Sequence, residues 1–191
     1  TKETVEVIKR AKLNGIKITC DTSPPYFSLN ELELSTYDTS FKLSPPLRNE
    51  EDRIAIQNAI FDDTIDVITS DHKPMSNDTK ILPFTSASTG ASGIETLLPL
   101  TLNLLNKSDV SIMNILKKIT LNPSKLLKVE IPKIKSNEKA NFIIFDPNEQ
   151  YLINKDLLQT SPTPFHGRPV QGKNYMSMMN GEIVFDNLDL L

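Results

Sequence analysis

The stretch Asp66-Val67-Ile68-Thr69-Ser70-Asp71-His72-Lys73-Pro74 constrains the fold of this chain more than any other. Val67 and Ile68 are β-branched and apolar, and Thr69 still favours an extended backbone. The run then ends in an acid and an imidazole. Pro74 follows almost at once and cannot continue a hydrogen-bonded ladder. A buried strand ending in Asp-His presents two proton-handling, metal-capable groups at its C-terminal end, where α/β folds keep their chemistry. A loop aspartate that caps the next segment fits the same nine residues, and the local pattern leaves both readings open.

The preceding sequence repeats one rhythm. Thr1 to Leu13 reads as a helix with Val5, Ile8 and Leu13 roughly on one face, stopped by Gly15. Ile16, Ile18 and Cys20 alternate as a short strand, which ends in the polar run Asp21-Thr22-Ser23-Pro24-Pro25-Tyr26. Phe41-Lys42-Leu43 reads as a minimal strand ending at Ser44-Pro45-Pro46-Leu47-Arg48. Asn49, with Asp52 three residues on, is the capping signal for a helix carrying Ile54, Ala55, Ala59 and Ile60. The Asp71 strand comes next. Three strands thus deliver polar loops at one end, and helices lie between them. That alternation predicts a parallel sheet or barrel. A chain opening on a helix that feeds a strand is expected to be the later part of a longer protein.

Beyond Asp71, Met75 to Ser92 is a long polar loop, of the kind that covers a site or stays unstructured. Ile94 to Leu105 is apolar on most sides and predicts a buried helix. Ser111 to Ile119 is amphipathic, and Asn122-Pro123 reads as cap and first residue of another helix. At about Val129 the period changes. Ala140 to Pro147 and Gln150 to Ile153 read as strands. Asn180-Gly181 between extended runs is the signal of a hairpin over Ser177 to Phe185. The expected organisation is an α/β body over residues 1–128 and a small β-domain over 129–191.

Composition narrows the functional classes. A net charge of −3 gives no basic surface for nucleic acid or anionic membrane. No apolar run is long enough to span a bilayer, and no signal-peptide pattern opens the sequence. The single cysteine, Cys20, excludes a disulfide framework and a cysteine zinc site, and a lone thiol fits a reducing cytoplasm. Thirteen prolines against six glycines predict many stiff loops.

Several of these motifs, in this order, resemble dihydroorotase, a member of the amidohydrolase superfamily. They are Ser44-Pro45-Pro46-Leu47-Arg48 with Asn49 to Arg53, then Thr64 to Pro74, then Pro83-Phe84. Gly93-Ile94-Glu95-Thr96-Leu97-Leu98-Pro99-Leu100, Asn122-Pro123 and Ala140 to Pro147 follow. Thr163-Pro164-Phe165, Gly167-Arg168-Pro169-Val170-Gln171-Gly172 and Asn180-Gly181 complete a collinear match over nearly the whole chain.

The resemblance implies a fold and a chemistry. The fold would be the C-terminal part of a metal-dependent hydrolase (β/α)8 TIM barrel, plus part of a small β-domain whose N-terminal strands lie outside this chain. The reaction would be the reversible hydrolysis of dihydroorotate to N-carbamoyl-aspartate in pyrimidine (UMP) biosynthesis, with zinc as cofactor. Asp71 would bind the metal and shuttle the proton, with His72 behind it as support. Ser44, Met75, Phe84 and Thr85 would face substrate, the last two on a loop that closes over it. Three positions depart from the family's pattern: Pro25 and Met75 stand where many members carry histidine, and Ser44 where many carry asparagine. The resemblance extends to a non-catalytic dihydroorotase-like subunit that assembles with aspartate transcarbamoylase, and to hydantoinases and allantoinases among cyclic amidases. It further implies a cytoplasmic homo-oligomer acting on a small molecule.

Overall fold

The computed structural model describes residues 1–154 and 162–188. Its first helix, α1 (Lys2–Leu13), leads to strand β1 (Asp21–Thr22) and the short helix α2 (Pro24–Ser28). Two 3-10 turns precede α3 (Glu50–Phe61), which feeds β2 (Val67–Ile68). Then come α4 (Asn77–Lys80), α5 (Leu97–Leu102), α6 (Ile112–Ile119) and α7 (Leu121–Leu127). Strands β3 (Phe142–Leu152), β4 (Pro169–Met179) and β5 (Glu182–Asp186) close the fold.

β1 and β2 pair in parallel, Asp21 opposite Val67 and Thr22 opposite Ile68. A parallel pair needs a crossover, and the crossover here contains α2 and α3. Asp66 fixes the entry to the pair: its carboxylate accepts from the Cys20 amide at 2.9 Å and from the Lys12 ammonium at 2.7 Å. The alternation at Ile16–Cys20 predicted a strand, yet the ladder begins only at Asp21. The Ile16 and Ile18 amides turn back to Ala11 and Ile16 instead of crossing to β2. Phe41-Lys42-Leu43 is not a strand either. Asp38 caps a 3-10 turn over Thr39–Phe41 through the Ser40 amide, and the Lys42 carbonyl takes the Gly90 amide of a loop. Two parallel strands, rather than three, therefore carry polar ends to one side.

Asn49 caps α3 as the sequence indicates, its side chain accepting from the Asp52 amide at 2.9 Å. Asp52 is itself buried and accepts from the Lys2 amide at 2.6 Å, which ties α1 to α3. Glu50 sits between Arg53 and Asn30, and hydrogen bonds from those two hold its carboxyl down to about 2. A depressed carboxyl pKa stabilises the fold above the unfolded value and stops doing so as pH falls through the folded one. The thermal midpoint is therefore expected to drop between about pH 4.5 and 2, with a shallower drop in Glu50→Gln. Melting curves of both proteins across that window check it.

α7 begins two residues before the expected site. Thr120 occupies the cap, while Asn122 lies inside the helix and donates to the Asp66 carbonyl at 2.8 Å. An asparagine with a tertiary partner has left the capping role that its propensity suggests.

Two buried clusters organise the packing. Phe27, Ala59, Ile60, Ile65, Ile68, Leu104 and Ile115 form one beneath β1 and β2. The other joins Leu29, Leu43, Leu47, Ala91 and Leu100 to Ile153, Phe165 and Val170. The antiparallel sheet, ordered β3-β4-β5, thus shares a core with the α/β body. Its hairpin turns at Asn180-Gly181, both at positive φ, as the dipeptide predicts.

Candidate active site

β2 ends where the chain departs from extended geometry. Asp71 takes a left-handed φ of 46°, which turns its side chain out of the strand direction. Beside it, Thr69 is locked to β1: its amide reaches the Thr22 carbonyl at 2.8 Å and its hydroxyl the Asp21 carboxylate at 3.1 Å. Asp21, the first residue of β1, is thereby held beside the chain that leaves β2 towards Asp71. Asp21 and Asp71 both line an open cavity of about 660 Å³ with Thr22, Ser23, Tyr26 and Ser44.

Among the described residues no hydrogen bond or ion pair engages the Asp71 carboxylate. Partial burial raises its pKa, the Lys73 ammonium opposes that rise, and the like charge of Asp21 adds to it. Tyr26 leans over the same space. Its hydroxyl donates to the Pro45 carbonyl at 2.8 Å, and burial, then the charge of Asp71, pushes its pKa up to about 12. A phenol held neutral by these surroundings is a donor and not a base at ordinary pH.

His72 is not among the residues lining this cavity. Its Nδ1 accepts the amide protons of Gly93 and Ile94, both at 3.2 Å, which leaves the ring proton on Nε2. The imidazole thereby fastens the end of β2 to the turn that opens α5. That turn lies directly on the strand end. A Cβ added to Gly93 would collide with the Ser70 carbonyl oxygen, and one on Gly90 would come within 2.7 Å of the Lys73 oxygen. Both obstacles are backbone, so neither moves cheaply. Gly93→Ala is expected to cost about 1–3 kcal/mol by overpacking, read as a lower unfolding midpoint; an unchanged midpoint would refute that close approach.

The residues picked from the sequence are only partly gathered. Ser44 and Asp71 share the large cavity and also a smaller cleft with Lys73, Gly90 and Gly93. Met75, Phe84 and Thr85 line neither. The Phe84 ring instead packs edge-on against Tyr37, centroids 5.9 Å apart. The sequence pattern alone gave neither Asp21 nor Tyr26 a site role. The signal for Asp21 was its place at a strand end, but its neighbour is 50 residues away in sequence. Arg48 also lines the large cavity, and its Nε donates to the Asp52 carboxylate at 3.4 Å.

The amidohydrolase family model matches residues 2–184. The chain belongs to the amidohydrolase family. It is 37% identical over 190 residues to a dihydroorotase of Clostridium acetobutylicum, across 98% of this chain and 45% of that protein. A dihydroorotase of Anaplasma phagocytophilum is 35% identical over 187 residues, across 97% of this chain and 42% of that protein. Among solved structures, the L-hydantoinase (dihydropyrimidinase) from Arthrobacter aurescens superposes with a TM-score of 0.85 at 26% identity. That match covers 100% of this chain and 44% of that one. The chain therefore spans less than half the length of these relatives, and its α/β body is a section of the TIM barrel of this amidohydrolase.

Amidohydrolases of this kind are metal-dependent hydrolases. The fit of this chain to a metal is partial. Asp71 offers a carboxylate with no competing partner, beside a second carboxylate, and both open onto the cavity. Among the described residues no group of three or more His, Cys, Asp or Glu side chains is placed to hold an ion. No helix among them is long and apolar enough to cross a membrane.

Proposed function

We propose that this chain is part of a dihydroorotase, a cytoplasmic enzyme that reversibly opens the cyclic amide of dihydroorotate to N-carbamoyl-aspartate in pyrimidine biosynthesis. The observation that carries the reading is the unengaged Asp71 carboxylate at the end of β2, in a chain 37% identical to a dihydroorotase over 190 residues. Asp71 is the catalytic residue and one ligand to zinc. The other ligands belong to the portion of the barrel that this chain does not span. When bound, zinc activates water and polarises the amide carbonyl.

The chain's own residues then act in order. The Asp71 carboxylate takes a proton from the attacking water. It returns that proton to the amide nitrogen as the ring C–N bond breaks. Ser44 contacts substrate from the wall of the same cavity. Met75, Phe84 and Thr85 lie outside both cavities, on the loop between β2 and α5, and would meet substrate only as that loop closes over it. His72 supports the site through the main chain, fixing Asp71's neighbour against the start of α5.

The substrate panel is the test. The complete polypeptide as encoded is offered dihydroorotate, hydantoin and allantoin, and ring opening is followed by ultraviolet absorbance. The proposal expects dihydroorotate to be preferred. A preference for hydantoin or allantoin would reassign it to another cyclic amidase. Loss of all three activities with stable co-purification of aspartate transcarbamoylase would make it a scaffold.

A further inference from the structure

Lys42 performs no role in the site as described so far, yet it is the most heavily used cation in the neighbourhood. Its ammonium donates to three main-chain carbonyls, those of Phe84 at 2.6 Å, Thr85 at 2.9 Å and Ala87 at 2.7 Å. An ammonium has three protons to give, so all of its capacity goes to one turn. That turn is closed on itself by the Ser86 and Ala87 amides, which both reach the Pro83 carbonyl. The Phe84, Thr85 and Ala87 carbonyls converge on Lys42. Among the described residues no carboxylate lies within ion-pair distance of this ammonium, so the charge is committed to backbone.

Neighbouring contacts have the same sense. The Lys42 carbonyl accepts the Gly90 amide at 3.0 Å, and its ammonium lies 5.5 Å from the Phe84 ring centre. Lys80 is buried and donates to the Thr39 carbonyl at 2.8 Å, while the Thr39 hydroxyl donates back to the Lys80 carbonyl. Segments 37–42 and 80–90 are thus joined at both ends. From Lys42 the chain passes through buried Leu43 to Ser44. From Gly90 it runs against Lys73, next to Asp71. Leu43, Ser44, Asp71, Lys73 and Gly90 line one cleft.

We infer that Lys42 is a positioning residue: its ammonium holds the Phe84–Ala87 turn to the segment bearing Ser44, and so sets the substrate loop relative to Asp71. The inference rests on the dihydroorotase reading for its effect on substrate, and on geometry alone for the clamp. Lys42 touches no reacting atom. Its loss changes where the loop sits and leaves the chemical groups intact.

The test uses the complete polypeptide with Lys42→Met, which keeps length and removes all three donors, and Lys42→Arg, which restores a cation. Lys42→Gln is read in the same way if the methionine variant does not fold. The expected result for Lys42→Met is a KM for dihydroorotate raised roughly tenfold with kcat changed less than about threefold. Lys42→Arg recovers part of that loss. Hydrogen exchange without substrate is the second arm: amides of residues 84–90 exchange at least about tenfold faster in Lys42→Met. Unchanged exchange overturns the clamp, whether or not the protein is active. A fall in kcat at constant KM, or no rescue by arginine, overturns the positioning role. An inactive native protein with faster exchange in the variant overturns the dihydroorotase reading and its substrate effect, while the clamp stands.

Discussion

Asp71→Asn is expected to lower kcat for dihydroorotate by about 10³-fold, within the range that loss of a positioned general acid–base group produces. The substitution is nearly isosteric, so the left-handed turn at residue 71 and the packing of Gly93 on Ser70 persist. What disappears is the proton acceptor and the anionic ligand, because an amide oxygen carries no full charge and takes no proton at ordinary pH. KM should move far less than kcat, since the lost interaction belongs to the transition state. Steady-state rates of the two proteins measure this directly. A variant that keeps a tenth or more of the native kcat would remove Asp71 from the chemistry. In cells, the same substitution should create a requirement for uracil. Unimpaired growth would favour a non-catalytic scaffold that assembles with aspartate transcarbamoylase.

Phe165→Ala carries the largest expected effect on stability. Phe165 is 1% exposed and sits in the cluster where Ile153 and Val170 of the antiparallel sheet region meet Leu29, Leu43, Leu47 and Leu100 of the α/β body. Removing a fully buried phenylalanine ring costs about 3–5 kcal/mol, transfer and cavity terms together. A comparable change at the sheet's exposed side, such as Phe185→Ala, should cost much less, because that ring is 45% exposed. Urea unfolding of both variants separates the cases. If Phe165→Ala cost under about 1 kcal/mol, the sheet and the body would not share a core.

The parts of this fold legible in the sequence are those determined by a few adjacent residues. The Asn49 cap, the Asn180-Gly181 turn and the apolar run into Asp71 each depend on local chemistry, and each appears as read. The errors arise where a distant partner decides. Lys42 looks like a strand residue because Phe41 and Leu43 flank it with apolar side chains. Its backbone and side chain are instead taken by a loop more than 40 residues later. Asn122 has the sequence of a helix cap, but the Asp66 carbonyl claims its amide. The sequence does not show which groups His72 engages: its Nδ1 accepts two amides of the next segment. The alternation of helices and strands predicts the parallel pairing of β1 and β2, but the register that sets Asp21 opposite Val67 depends on residues far apart in the chain.

The most direct measurement of the central claim is the rate of dihydroorotate ring opening by the zinc-loaded complete polypeptide, before and after chelation. Turnover is expected to be lost when the metal is removed and to return when zinc is restored. Zinc-loaded protein with no turnover, or turnover that survives full removal of metal, would contradict that claim.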